Sequence, residues 1–322
     1  MLRTLGLVVI LLGIALVALR LHYRPPPLEG RTASQAVRAS PDTVLGAFAA
    51  GAPAGPPGRS GVLPLIDGPD AFAARVAVIR AAQVALDVQY YIWERDATGL
   101  ILLDELRRAA ERGVRIRLLL DDNGISGLDR ELAALDALPG AEVRLFNPFI
   151  LRRLKSLGYA FDFVRLNRRM HNKSLTADGA VSILGGRNIG DIYFAFGEGI
   201  HYVDVDVMVA GRAAADVGAD FDRYWASGSA HPIDRLVPPA GPDALDLLAQ
   251  EAHQAGRSPE GRLYAQRLRD GNVVTDIASG RASLEWVGVT LVSDDPAKGL
   301  NQARQRDLLY PQLGALLSRP ER

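Results

Sequence analysis

The run Gly113-Val114-Arg115-Ile116-Arg117-Leu118-Leu119-Leu120-Asp121-Asp122 limits the fold more than any other stretch of this chain. It is too continuously apolar for a strand with one wet face and fits a sheet covered on both sides. An amphipathic segment from Gly99 to Arg112 precedes it, and before that comes a strand-like run from Val84 to Ile92. Downstream, a helical pattern over Leu128 to Leu138 leads through Pro139-Gly140 to a strand over Glu142 to Phe146 and the turn Asn147-Pro148. Val203 to Val209 alternates as a further strand, and a helix over Asp70 to Ala82 opens the series. Strands alternating with helices of about ten to fifteen residues predict an α/β domain with a mixed β-sheet flanked by helices.

Within this frame the segment His171 to Thr176 reads as a short strand, bounded by the turn dipeptide Asp178-Gly179. Its partner is expected over Ala180 to Leu184, ended by Gly185-Gly186. Residues two apart in an extended chain share a face, so His171 and Lys173 are expected to point together. Imidazole serves as nucleophile or proton carrier near neutral pH, and an adjacent ammonium suits phosphate oxygens. Asn188 follows the glycine pair, where backbone and side chain can approach a ligand closely. Asp178 lies an odd number of residues from His171, so a turn and framework role is expected of it rather than direct chemistry. Of the 37 basic residues only Lys155, Lys173 and Lys298 are lysines, and the rest are arginines. A lysine kept in so arginine-biased a chain argues for a compact ammonium at that position.

His171-x-Lys173-x4-Asp178, with Asn188 fifteen residues after the lysine, resembles the signature of the phospholipase D superfamily. Leu86 to Trp93 is similar to the first strand of its bacterial cardiolipin synthase branch, and Phe221-Asp222-Arg223-Tyr224-Trp225 closes a helix in the family's manner. The resemblance implies metal-free, cofactor-free transfer of a phosphodiester in two steps, on an anionic phospholipid substrate. In that scheme His171 attacks phosphorus to form a phosphohistidine, and Lys173 and Asn188 bind the non-bridging oxygens. Asp204 is implied to hold the histidine through its other ring nitrogen, with Asp206 on the same face two residues later. Covalent catalysis divides one hard step into two, and fixed cations stabilise the crowded negative charge. Asp178, Gly185 and Gly186 are implied to frame the site. Tyr90, Tyr91 and Trp93 are expected mainly in the core, and Asp121-Asp122 either at the site or capping a turn. Arg168-Arg169 reads as a solvated pair; His22, His201, His231 and His253 receive no role.

Leu5 to Leu19 is an unbroken apolar run, with Arg3 before it and Arg20 and Arg24 after it. Extended to Tyr23 it makes a short membrane anchor of nearly 20 residues, the length a span needs. A cleaved signal peptide is the rival reading, weakened by the poor cleavage site Leu16-Val17-Ala18. An anchor in the cell inner membrane follows, with the side of the domain left open. Residues 24–60, with Arg24-Pro25-Pro26-Pro27 and the Pro/Gly-rich stretch Gly51 to Gly58, have linker composition. Residues 61–230 then form the catalytic lobe. The absence of cysteine removes disulfides and thiolate metal sites. Zero formal net charge makes a nucleic-acid partner the weaker expectation.

The remaining residues, 231–322, read as an inter-lobe connector and the start of a second lobe. Helices are expected over Ala244 to Ala255, Pro259 to Leu268 and Ala303 to Ser318, with a strand over Leu284 to Val292. Asp294 to Gly299 resembles a connecting loop of the family. No second HxK occurs in these 322 residues, whereas the family's scheme needs two. Truncation is the leading expectation, with a homodimer or a separate chain supplying the second motif as alternatives. The functional expectation is a phosphatidyl transferase of the phospholipase D type; an inactive lipid-binding fragment and a dimeric nucleic-acid phosphodiesterase are the alternatives.

Overall fold

A computed structural model describes residues 2–51, 58–270, 276, 279 and 284–318. Its centre is one nine-stranded mixed sheet in the order β8-β4-β3-β2-β5-β6-β7-β1-β9. In chain order the strands are β1 Ser60–Leu65, β2 Ala85–Ile92, β3 Arg115–Gly124, β4 Ala141–Phe146, β5 Ser174–Ala177, β6 Val181–Gly185, β7 Asp206–Gly211, β8 Ala230–Pro232 and β9 Glu285–Val287. Strands β2, β3 and β4 run parallel, and every other pairing is antiparallel. The helices are α1 Leu2–His22, α2 Val44–Gly51, α3 Gly68–Ala81, α4 Ala97–Glu111, α5 Asp129–Asp136, α6 Lys155–Leu166, α7 Asp191–Phe194, α8 Arg212–Trp225, α9 Ala244–Arg257, α10 Pro259–Asp270 and α11 Leu309–Leu317.

The crossover helices α4 and α5 are what the parallel strands require, because a parallel pair cannot be joined by a tight turn. Asp96 starts α4 by accepting the Gly99 N–H at 3.0 Å, and Asp67 caps α3 ahead of Pro69. The apolar run of β3 is divided between the two faces. Leu118 and Leu120 join the larger core with α3, α4 and α5, while Leu119 packs with Phe146, Met170, Phe221, Tyr224 and Trp225 beneath α8. Arginines cross this interior on planar, multiply bonded guanidinium groups. Arg117 forks onto Asp87 at 2.7 and 2.8 Å, and Arg75 reaches Asp206 at 2.9 Å and the Tyr90 hydroxyl at 3.0 Å. A planar guanidinium fork matches these acceptors in fixed directions, which a lysine point charge does not.

Three expectations change. The 24–60 segment is no free linker over its described part: Arg31 donates to the carbonyls of Ala226, Ser227 and Ala230, and the Ala36 N–H bonds the Asp222 carboxylate. Leu45 and Phe48 of α2 are buried in the main core. Polar backbone and short side chains let this strap satisfy groups at the end of α8, a pairing composition does not reveal; residues 52–57 of the second Pro/Gly stretch lie outside the described part. Second, segments after residue 230 complete the first sheet. β8 pairs with β4 at one edge, β9 pairs with β1 at the other, and α9 and α10 pack on α3, α4 and α5. The strand expected over Leu284 to Val292 pairs only at Glu285–Val287, and the last helix begins at Leu309 rather than Ala303. Third, α2, α6, α7, β1 and β8 have no counterpart among the expected elements; Gly158 and a non-helical Asp162 interrupt the α6 pattern.

Helix α1 is apolar and long enough to cross a membrane over Arg3–His22, and none of that stretch is buried against the rest of the chain. On the opposite side of the energetic balance stands His231, buried in β8. Burial, with Arg165 and Arg31 nearby, pushes its pKa down to about 4. The unfolded chain, with histidine near 6.5, therefore takes up the proton first, and stability falls as pH drops from about 6.5 to about 4. Asp136 and Asp191, whose carboxyls burial pushes up to about 6, act in the opposite direction over this window, so the test is a comparison. By urea unfolding in detergent, the protein is expected to lose up to about 3 kcal/mol relative to His231→Gln between about pH 6.5 and about pH 4.

Candidate active site

A buried carboxylate holds the chain where it enters the motif. Asp121, fully buried near the end of β3, accepts the Arg169 guanidinium at 2.6 to 3.1 Å and the Met170 N–H at 2.8 Å. Burial pushes the Asp121 carboxyl up, against the pull of Arg169 and of the Met170 and Asn123 N–H groups. Arg169 also donates to the carbonyls of Phe146, Asn147 and Leu166, so it is a buried tie and not a solvated charge. Met170 seals the segment below, its sulfur accepting from Gln89 at 2.9 Å. His171 follows directly and emerges at the surface, still outside the strand, since β5 begins only at Ser174.

His171 is stacked against Tyr91, ring centroids 4.0 Å apart at 39°. The Lys173 ammonium lies 5.6 Å from the same ring centroid and donates to the His171 carbonyl at 2.7 Å. Tyr91 thus belongs to the site, while its neighbours Tyr90 and Trp93 are core residues. Partial burial lowers the His171 pKa, and Lys173, Lys298 and Arg169 lower it further, with Asp294 opposing them. The imidazole is therefore held in its neutral form at neutral pH. Burial likewise lowers Lys173, against Asp204 and Asp206.

The glycine pair is explained by close approach. A Cβ on Gly186 would meet the Asp204 carboxylate at 2.3 Å, and one on Gly185 would meet that of Asp206 at 2.2 Å. Asp204 is consequently brought to Gly186 and Lys173, and no hydrogen bond joins it to His171 among the described residues. The implied Asp204–histidine pairing is not formed, because β7 starts at Asp206 and leaves Asp204 in the preceding loop. Asp206 is withdrawn into the core by Arg75 and Arg187. Asn188 is buried, its carbonyl oxygen accepting the Ile92 N–H at 3.1 Å. Asp178 lies at the far end of β5, where its carboxylate accepts the N–H groups of Gln83, Val84 and Ala85 at 2.8 to 3.2 Å.

The group that sequence reasoning missed is Asp294 with Lys298. These two form an ion pair, and the Tyr224 hydroxyl holds the Asp294 carbonyl at 3.0 Å. Asp220 of α8 joins the loop to the motif, accepting from Ser293 at 2.6 Å and from Asn172 at 3.3 Å. A cavity of about 370 Å³ opens between them, lined by His171, Lys173, Asp294 and Lys298 and by apolar Leu184, Val207, Val217 and Leu291. The signal was available: Lys298 is one of only three lysines.

Residues 76–225 match the family described as cardiolipin synthase, PLD-like domain. The chain is 45% identical over 264 residues to cardiolipin synthase C of Escherichia coli K12, covering 82% of this chain and 56% of that protein. It is 30% identical over 180 residues to the major cardiolipin synthase ClsA of Bacillus subtilis 168, covering 56% of this chain and 36% of that protein. The chain thus spans about half, or less, of the length of these relatives. A phospholipase D family member from Salmonella typhimurium superposes at TM-score 0.39 with 14% identity over 54% of this chain and 97% of that one, too loosely to add to the sequence match.

Removing the charge on Asp121 leaves Arg169 buried without its counter-ion, which typically costs about 3 kcal/mol or more. Asp121→Asn is expected to lower the urea midpoint accordingly, while Asp204→Asn, at a partly exposed position, is expected to leave it nearly unchanged.

Proposed function

Since this chain belongs to the phospholipase D superfamily, by the cardiolipin synthase-type domain of its residues 76–225, we propose that it supplies one half of a phosphatidyl-transfer site. The observation that carries this reading is His171, stacked on Tyr91 with Lys173 beside it, lining a partly apolar cavity together with Lys298. A neutral ring has a free lone pair for attack, and the cations lie where a phosphodiester would bring negative charge. In the proposed reaction a ring nitrogen of His171 bonds to phosphorus as the bond to the leaving alcohol breaks. Lys173 and the amide of Asn188 bind the non-bridging oxygens. The leaving oxygen takes its proton from an acid on a second half-site, located in further polypeptide or in another chain, including a second copy of this one. The same group then accepts the proton of the incoming alcohol or water as the nitrogen–phosphorus bond breaks. No metal or cofactor enters the scheme.

Anionic phospholipid is the proposed substrate and α1 the proposed inner-membrane anchor. Incubation with phospholipid carrying radiolabelled phosphate is expected to leave acid-labile label on the protein, abolished in His171→Ala. Absence of label in the wild type, also after addition of a second half-site, would favour a lipid-binding role without turnover. Label from an oligonucleotide but not from lipid would move the substrate class to nucleic acid.

The sign of the pH dependence follows from the lowered His171 pKa. Labelling is lost only as the imidazole protonates, so its acid limb is expected below the ordinary histidine value of about 6.5. Lys298→Gln removes one cation and releases Asp294, both of which favour imidazolium. The acid limb is therefore expected to move upward in that variant, as read from labelling rate against pH.

A further inference from the structure

Helix α6 turns its apolar residues outward. Leu154 just before it, and Leu157, Phe163 and Val164 within it, are each more than half exposed, and only Gly158, Asp162 and Leu166 are buried. An apolar stripe of this length on a solvated surface marks an interaction site. Its position identifies the occupant. The end of α1 rests on α6: Tyr23 stacks on Phe161 with centroids 5.5 Å apart, and Arg20 lies 3.7 Å from the Asp162 carboxylate. The outward stripe of α6 therefore begins where the membrane-length apolar helix ends. Arg24 and Arg153 are exposed beside it, and neither pairs with a carboxylate among the described residues.

We propose that α6 is an interfacial helix that lies in the surface of an anionic phospholipid bilayer, its stripe among the acyl chains and Arg24 and Arg153 at the headgroup phosphates. Such helices sit about 5–10 Å into the headgroup boundary, and basic residues at their edge add attraction to anionic lipid. This rests on α1 lying in the membrane and adds a second, fixed contact to it. The consequence is orientation. Three residues after α6 ends, Arg169 is clamped by Asp121, and His171 follows. A bilayer seated on α6 fixes how the domain is turned towards the lipid, whereas a helical anchor on its own leaves the domain free to face any direction.

The absence of cysteine allows single fluorescent labels to be placed in the full chain. Variants Val9→Cys, Leu157→Cys, Val164→Cys and Arg212→Cys, the last at the opposite end of the sheet, would be labelled. They would then be reconstituted in phosphatidylethanolamine–phosphatidylglycerol vesicles containing brominated lipid. Quenching is expected at Val9, and at Leu157 and Val164 several-fold more strongly than at Arg212. Adding Arg153→Glu should weaken it several-fold at Leu157. Quenching at Val9 with none at Leu157 and Val164 overturns the proposal and leaves the reading of α1 intact; quenching at no position overturns both. Labels at Leu157 and Val164 that are shielded from water yet unreached by bromolipid would place a second copy there, and overturn it as well.

Discussion

The geometry around His171 depends on a pair of adjacent, fully buried carboxylates that β3 delivers. Asp121 grips Arg169 and the Met170 N–H, and Asp122 accepts from the Phe149 N–H at 2.6 Å, from the Lys155 ammonium at 2.9 Å and from Arg152. Successive residues on a strand face opposite ways, so the two acids hold different pieces of chain. One fixes the entry to the motif and the other fixes the start of α6. A buried carboxylate without such partners would be costly, which makes these contacts strict rather than optional. The candidate nucleophile and the proposed bilayer-facing helix are thereby referenced to the same strand end.

Charge chemistry divides cleanly by residue type. The buried cations that organise the sheet, Arg75, Arg117, Arg144 and Arg187, are arginines, each guanidinium serving several acceptors. The three lysines occupy different ground: Lys155 on Asp122, and Lys173 and Lys298 in the lining of the cavity that His171 shares. A guanidinium spreads its charge over a planar fork, while an ammonium concentrates it at one point. Partial burial is the main reason that the imidazole pKa is lowered, the concentrated charges of Lys173 and Lys298 lower it further, and Asp294 opposes them.

The packed strap of residues 31–36 and the closing strands β8 and β9 show why the domain boundaries shift from their expected places. Each covers an edge or a helix end whose backbone groups would otherwise meet water or remain unpaired. Such segments are short and carry no periodicity of their own. Their selection by the neighbouring sheet leaves no trace in composition, which is why a Pro-rich stretch and a connector read as free.

Sequence by itself determined the alternating α/β plan, the apolar N-terminal helix and the HxK–GGxN cluster, because periodicity, run length and residue chemistry are local properties of the chain. It also marked the lysines as exceptional, while the place of Lys298 beside the motif depends on the fold. Only the tertiary structure decided which acid faces His171, bringing Asp294 across from residues more than a hundred positions away and leaving Asp204 with Lys173. It likewise showed Tyr91 against the imidazole while Tyr90, one residue earlier, turned into the core. The first outcome depends on where β7 begins and how α8 seats the 293–298 loop, the second on which face of β2 the core covers, and those are set by packing between segments distant in the chain rather than by any segment's own sequence.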